Sequence, residues 1–207
     1  MRGLYLEVAT ATAALLADAS VAEHWDEEST LPHFAVSGLA GHLARAVLQV
    51  EWYLDADLPD AELVTASEYY AALTGVADPD SELNVAVRQR GEEVASSGPS
   101  ALAARTAAAL ARLRTRLAAE PSDRCVGALG RLLLLDEYLK TRLVEMMVHM
   151  DDLALSVGLS PPEPPADAAR LAIETLVEVA ALRHGHLAVL RALTRRERQG
   201  TEILRVL

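Results

Sequence analysis

Two histidines and a glutamate stand where they could hold a metal ion. Glu145 and His149 are four residues apart in the stretch Arg142-Leu143-Val144-Glu145-Met146-Met147-Val148-His149-Met150-Asp151-Asp152. On an α-helix that spacing brings both side chains to one face, and a carboxylate oxygen with an imidazole nitrogen makes a donor pair for a divalent cation. Helix bundles build metal sites from inward Glu and His side chains at similar spacing. Alone, the pair reads more readily as a surface hydrogen-bonded pair than as a metal site. His42, in Leu39-Ala40-Gly41-His42-Leu43-Ala44, would complete a set of three. Three protein ligands leave room for water or substrate, as in catalytic zinc sites. Gly38 and Gly41 thin the backbone beside His42 and permit a neighbour to approach closely.

Other residue types nearby have two readings each. Asp152, three residues after His149, could accept the free imidazole N–H and fix its tautomer, or be a surface acid at a helix end. The planar fork of Arg142 suits a substrate carboxylate, or an ion pair with Glu145 or Asp152. Gln49 and Tyr53 follow His42 on one helical face and are either pocket-lining or structural. His24, His33, His184 and His186 read as surface or capping residues. Cys125 reads as a small hydrophobe rather than a nucleophile.

The elements that must position these groups are helical. Placed at about 100° per residue, residues 134–157 show three arcs. Asp136, Glu137, Lys140, Thr141 and Asp151 form a solvated face. Leu135, Leu139, Leu143, Met146, Met150 and Leu153 form an apolar arc that should enter the core. Tyr138, Arg142, Glu145, His149, Asp152 and Ser156 form a second polar stripe flanking the apolar arc. A polar stripe beside a core is costly unless its groups are paired or bind something.

Apolar periodicity predicts one long helix over 2–25, a loop from Asp26 to Pro32, and a second helix from about Val36 to Leu54 started by Ser37. A short helix surrounds Tyr69 and Tyr70 within 62–78, and further helices span about 80–96 and 100–119. The longest helical stretch runs from about Gly130 to Val157, with Gly158 placed to end it. The run Pro161-Pro162-Glu163-Pro164-Pro165 is a stiff extended linker. Helices over 166–183 and 186–195 follow, and 201–207 reads as a short strand or extended chain. No strand alternation shows in the first 160 residues. The expectation is an all-α bundle over 1–160 with a helical extension over 161–207 packed on it.

The chain of 207 residues carries 19 basic and 30 acidic side chains, a formal net charge of −11. That balance argues against a nucleic-acid partner; the only dense basic cluster, Arg191, Arg195, Arg196 and Arg198, is short and interrupted by Glu197. A single cysteine allows no intramolecular disulfide and points to a reducing compartment. No signal-peptide pattern and no run of about 20 apolar residues is present, so a cytoplasmic location without a membrane partner is expected. Ala-rich helix faces are compatible with a monomer or a homodimer.

Two stretches resemble a known family. Leu31-Pro32-His33-Phe34-Ala35-Val36-Ser37-Gly38-Leu39-Ala40-Gly41-His42-Leu43 resembles a signature in which a Leu-Pro-Gly-Trp-like turn leads into a helix with a His-Leu pair. Arg142 to Leu153 resembles Arg-x-x-Glu-x-x-x-His-x-x-Asp-Leu. Together they are similar to the mycothiol-dependent maleylpyruvate isomerase metal-binding domain of the DinB-like superfamily, over most of the chain. The resemblance implies a four-helix bundle with a divalent metal on His42, Glu145 and His149. That metal is commonly zinc, and nickel, iron or manganese also suit the donors. It implies mycothiol as thiol cosubstrate and a small electrophile as substrate. The metal would lower the thiol pKa, and thiolate addition to an activated double bond would permit cis–trans rotation; other members would transfer the thiol instead. The alternative is a non-catalytic metal- or small-molecule-binding protein of the same fold, because fold and ligands do not fix activity. Phe34 stands where tryptophan is usual, His33 where glycine is common and Gly38 where an acid is frequent. These changes leave the ligand residues intact and bear on the pocket's shape.

Overall fold

Heptad-like spacing of apolar residues dominates the chain, and the computed structural model, which describes residues 1–195 and 201–206, is accordingly helical. In chain order the elements are α1 (Arg2–Leu16), α2 (Ala19–Glu23), α3 (Val36–Asp55), α4 (Ala66–Ala71), α5 (Glu82–Ala95), α6 (Pro99–Ala119), β1 (Cys125–Ala128), β2 (Arg131–Leu134), α7 (Leu135–Ser156), α8 (Ala166–His184) and α9 (His186–Thr194). A 3-10 turn covers Thr201–Leu204, where the sequence suggested strand or extended chain.

Four long helices make the bundle. α1 buries Tyr5, Val8, Ala9, Thr12, Leu15 and Leu16, and α6 buries Leu102, Thr106, Ala109, Leu110, Leu113 and Leu117. Each set is a single stripe at three- and four-residue intervals, as a helix with one wet side requires. α1 packs against α6 and α7, and α3 packs against the same two helices, closing a ring of four. α3 is additionally covered by α5, which is why Val36, Leu39, Ala40, Leu43, Val47 and Val50 are all buried. α8 lies against α4, α7 and α1, and α9 against α8. Among the described residues no helix is long and apolar enough to cross a membrane.

Several boundaries depart from the sequence reading, each for a local reason. The predicted helix over 2–25 is two helices. The Asp18 carboxylate accepts the Ser20 N–H at 2.9 Å and caps a new start, a stronger signal than the continuing apolar pattern. Ser37 does not start α3; the N-cap is Ala35, with no side-chain cap. The entering loop is instead tied by Val36 N–H to the Glu27 carbonyl at 2.8 Å and Ser29 N–H to the Phe34 carbonyl at 2.9 Å. The helical segment within 62–78 shrinks to α4, whose capping box pairs Thr65 with Glu68. Thr141, placed on the solvated face, is fully buried and donates to the Tyr138 carbonyl at 2.7 Å.

The largest correction is the start of α7. Residues 125–134 form an antiparallel hairpin, with Cys125 opposite Leu134 and Ala128 opposite Arg131. The two turn residues, Leu129 and Gly130, have φ of +47° and +73°, the left-handed pair that a tight two-residue hairpin turn demands. Leucine is poorly suited to that region. Of Arg196 and Arg198 in the basic cluster, nothing is described.

Glycine matters most where α5 crosses α3. A Cβ on Gly41 would fall on the Gly91 carbonyl, and one on Gly91 would lie 2.5 Å from the Gly38 carbonyl oxygen. The two backbones therefore touch directly, one residue before His42. Gly41→Ala is expected to destabilise the fold by about 1–3 kcal/mol in urea unfolding, overpacking outweighing alanine's better helix propensity. Leu129→Asn should do the opposite, adding about 0.5–1 kcal/mol, because asparagine tolerates the left-handed region and the Leu129 side chain is more than half exposed.

Candidate metal centre

α7 carries Arg142, Glu145, His149 and Asp152 on one stripe, and that stripe faces α3 and α4 rather than open solvent. Three atoms converge there. His42 Nε2 lies 3.3 Å from Glu145 Oε2, and His149 Nε2 lies 3.6 Å from the same oxygen. The two imidazole rings meet edge to face with centroids 4.6 Å apart. One donor atom from each residue lies within 4.8 Å of the others. Ligands held tetrahedrally at about 2.0–2.2 Å from zinc are themselves about 3.3–3.6 Å apart. The spacing around Glu145 Oε2 thus suits a shared cation, and the donor chemistry is of the kind that zinc accepts.

The outer partners are unequal. His149 Nδ1 sits 2.9 Å from Asp152 Oδ2, which directs the Nδ1–H at the carboxylate and turns Nε2 toward Glu145. His42 Nδ1 is buried without a hydrogen-bond partner among the described residues. Glu145 is fixed from the other side: the Tyr70 hydroxyl lies 2.9 Å from Oε1 and 2.8 Å from the Thr141 carbonyl. Burial holds the Tyr70 phenol well above its ordinary pKa, so it is a donor. It can give its single proton to one of these oxygens at a time.

The local electrostatics favour an ionised carboxylate. Burial pushes Glu145 upward, but its contacts with His149 and His42 and the nearby Arg142 charge outweigh this and set it well below the usual range. Burial lowers His42, with the Glu145 contact only partly opposing. Burial also acts to lower His149, yet Asp152 and Glu145 together lift it to about 9.

Arg142 does not make the ion pair that the sequence reading offered. Its Nε donates to Thr141 Oγ1 at 3.1 Å and its Nη1 to Gln49 Oε1 at 3.1 Å. Its guanidinium also lies 5.1 Å from the centre of the Tyr138 ring. Gln49 is thus a buried partner for a buried cation. Tyr53 packs edge-on against Tyr138 with centroids 5.4 Å apart. Arg142, Gln49, Tyr53 and Tyr138 line one cavity of about 580 Å³, whose outer wall comes from α5 and from the loops around Pro32 and Pro79. Leu129, from the hairpin turn, also reaches it.

The structure therefore brings His42, Glu145, His149, Gln49, Tyr53, Arg142 and Asp152 to one cavity. His33 is displaced to the surface with φ of +65° and lies 3.8 Å from Asp80. His24 bonds back to the Ser20 carbonyl. Tyr70, Arg45 and Arg90 also line the cavity, and sequence reasoning did not place them there. Tyr70 comes from a helix of only six residues, and a two-tyrosine dipeptide gives no periodic signal of a functional partner.

A closed ring of four helices with an inward His–Glu–His donor cluster under a cavity defines a helix-bundle protein with a candidate metal centre. The chain belongs to the mycothiol maleylpyruvate isomerase N-terminal domain family, whose pattern matches residues 5–154. That segment contains every site residue named above, while α8 and α9 lie beyond it. Searches among curated proteins and among solved structures each found no match.

Gln49 provides a test of the buried network. Gln49→Ala removes the acceptor of a buried charged donor and should lower stability by about 1.5–3 kcal/mol. Gln49→Glu should recover most of that loss, because a carboxylate restores the acceptor. Equilibrium urea denaturation of the two variants measures both effects.

Proposed function

We propose that the chain binds a divalent metal through His42 Nε2, Glu145 Oε2 and His149 Nε2. We further propose that it uses a low-molecular-weight thiol, mycothiol, to isomerise a small electrophile or to transfer the thiol to it. The observation that carries this reading is the donor spacing of 3.3 and 3.6 Å about one carboxylate oxygen, at the wall of a cavity large enough for a small molecule. Zinc suits a His–Glu–His set; nickel, iron and manganese also fit its donors. When bound, the metal supplies one thing: it lowers the pKa of a thiol at the site so that thiolate forms near neutral pH.

The protein's own residues do the rest. Asp152 fixes the tautomer and direction of His149. Tyr70 holds Glu145 so that one oxygen faces both imidazoles. Arg142 has an Nη2 with no acceptor among the described residues, so its fork is available to a carboxylate of the substrate. Tyr53, Tyr69 and Tyr138 give the cavity aromatic walls that limit water around the reacting groups.

Metal analysis of full-length protein purified without a His-tag or chelator tests the centre. One equivalent of metal is expected in the parent, and none in His42→Ala or His149→Ala. A parent that takes up no zinc, nickel, iron or manganese when supplied with each would overturn the reading. Tyr70→Phe should keep the fold and weaken metal affinity about 10–100-fold. Thiol chemistry is read by mycothiol consumption with maleylpyruvate and with a halogenated nitrobenzene. Turnover that disappears on metal removal is expected; metal binding without turnover of any electrophile would make this a binding protein.

A further inference from the structure

The cavity is lined by four arginines, Arg45, Arg88, Arg90 and Arg142, and by two carboxylates, Glu145 and Asp152. Both carboxylates are engaged by the histidines. The wall is thus cationic in a chain whose formal net charge is −11. Elsewhere several arginines meet acids, as Arg2 does with Asp136, Arg112 with Glu51 and Arg116 with Asp55, and Arg105, Arg114 and Arg183 at least bond carbonyl or hydroxyl oxygens. Among the described residues Arg45 and Arg90 have neither an ion pair nor a hydrogen bond, and Arg45 has the Trp52 ring at its side. Arg88 gives an N–H to the Pro79 carbonyl, which commits part of its fork to the loop. Arg142, more than nine-tenths buried, bonds only neutral acceptors.

Arg45 comes from α3, one turn after His42, and Arg90 comes from α5, next to the Gly91 contact with α3. Backbone contact at that crossing keeps the two helices close. Two like charges held on one partly buried wall repel each other, and an oxyanion between them relieves the repulsion. Burial and the nearby Arg90 charge both push the Arg45 pKa down, in keeping with a missing counter-charge.

We propose that Arg45 and Arg90 form an anion subsite on the α3–α5 wall, which receives a carboxylate or phosphate group of the bound molecule. This deepens the thiol-and-electrophile reading by placing an anionic group of the bound molecule on that wall, and it rests on that reading for the chemistry but not for the binding.

The test is calorimetric titration of the full chain, zinc-loaded, with succinate and with inorganic phosphate. Trp52 provides a second readout, since the Arg45 guanidinium lies 5.9 Å from its ring centre; Trp25→Phe isolates its fluorescence. Succinate is expected to bind and to shift the Trp52 signal. Arg45→Gln and Arg90→Gln should each weaken it at least about tenfold with metal content unchanged. Tighter phosphate binding would assign the subsite to a phosphate, and tighter succinate binding to a carboxylate. His149→Ala separates the two readings: retained anion binding without metal supports a subsite independent of the centre. No binding of either anion, or binding that neither arginine variant weakens, overturns the proposal even if the metal centre stands. Arg90→Gln keeps the test valid if Arg45→Gln unfolds the chain.

Discussion

A guanidinium, a carboxylate and two imidazoles sit against a core of leucines and methionines, and the rest of the structure is arranged around keeping them there. Leu139, Leu143, Met146 and Leu153 are buried on the same helix that presents Arg142, Glu145 and His149. Charged groups at that depth are expensive to desolvate unless each meets a partner. Gln49 meets Arg142, Tyr70 and the imidazoles meet Glu145, and Asp152 meets His149. These partners come from α3, α4 and α7. The order of the site therefore depends on the bundle closing, and the bundle gains a definite register from the site.

The hairpin and α4 belong to this arrangement although neither is part of the four-helix ring. β2 runs directly into α7, and the Leu135 N–H bonds the Arg124 carbonyl at 2.7 Å, which sets where the first turn of α7 begins. Glu137 on that turn accepts the Ala66 N–H at 2.9 Å, tying the start of α4 to α7. Thr65 and Glu68 cap the same end of α4. The short helix is then stiff enough to hold Tyr70 against Glu145. A residue remote in sequence reaches the centre through these two small devices.

What was legible in the sequence followed from periodicity. Glu145 and His149 share a face because they are four apart, and His42 stood out because glycines flank a histidine on an apolar helix. The bundle helices showed themselves through their buried stripes. The hairpin did not, because Leu132, Leu133 and Leu134 continue the apolar density of α7, and a short apolar run has no period of its own. Leu129 concealed the turn further, since only Gly130 carries the usual signal. Tyr70, Arg45 and Arg90 were illegible for another reason. Their place at the cavity depends on which helices face each other: Gly38 and Gly41 announced a close neighbour for α3, but nothing local says that α5 supplies it. The neutral partner of Arg142 was likewise a matter of tertiary pairing, with Gln49 ninety-three positions away.

The crossing of α3 and α5 couples the wall of the cavity to the position of one histidine of the candidate centre. A Cβ built on Gly91 would come within 3.3 Å of the His42 backbone nitrogen, so the helix that lines the mouth leans on the residue that supplies a donor to the centre. Any change in the chain that tilts α5 to admit a different molecule also displaces His42. The shape of the cavity and the placing of the histidine are geared together at that wall, and a lineage altering what enters must compensate for what it does to the histidine.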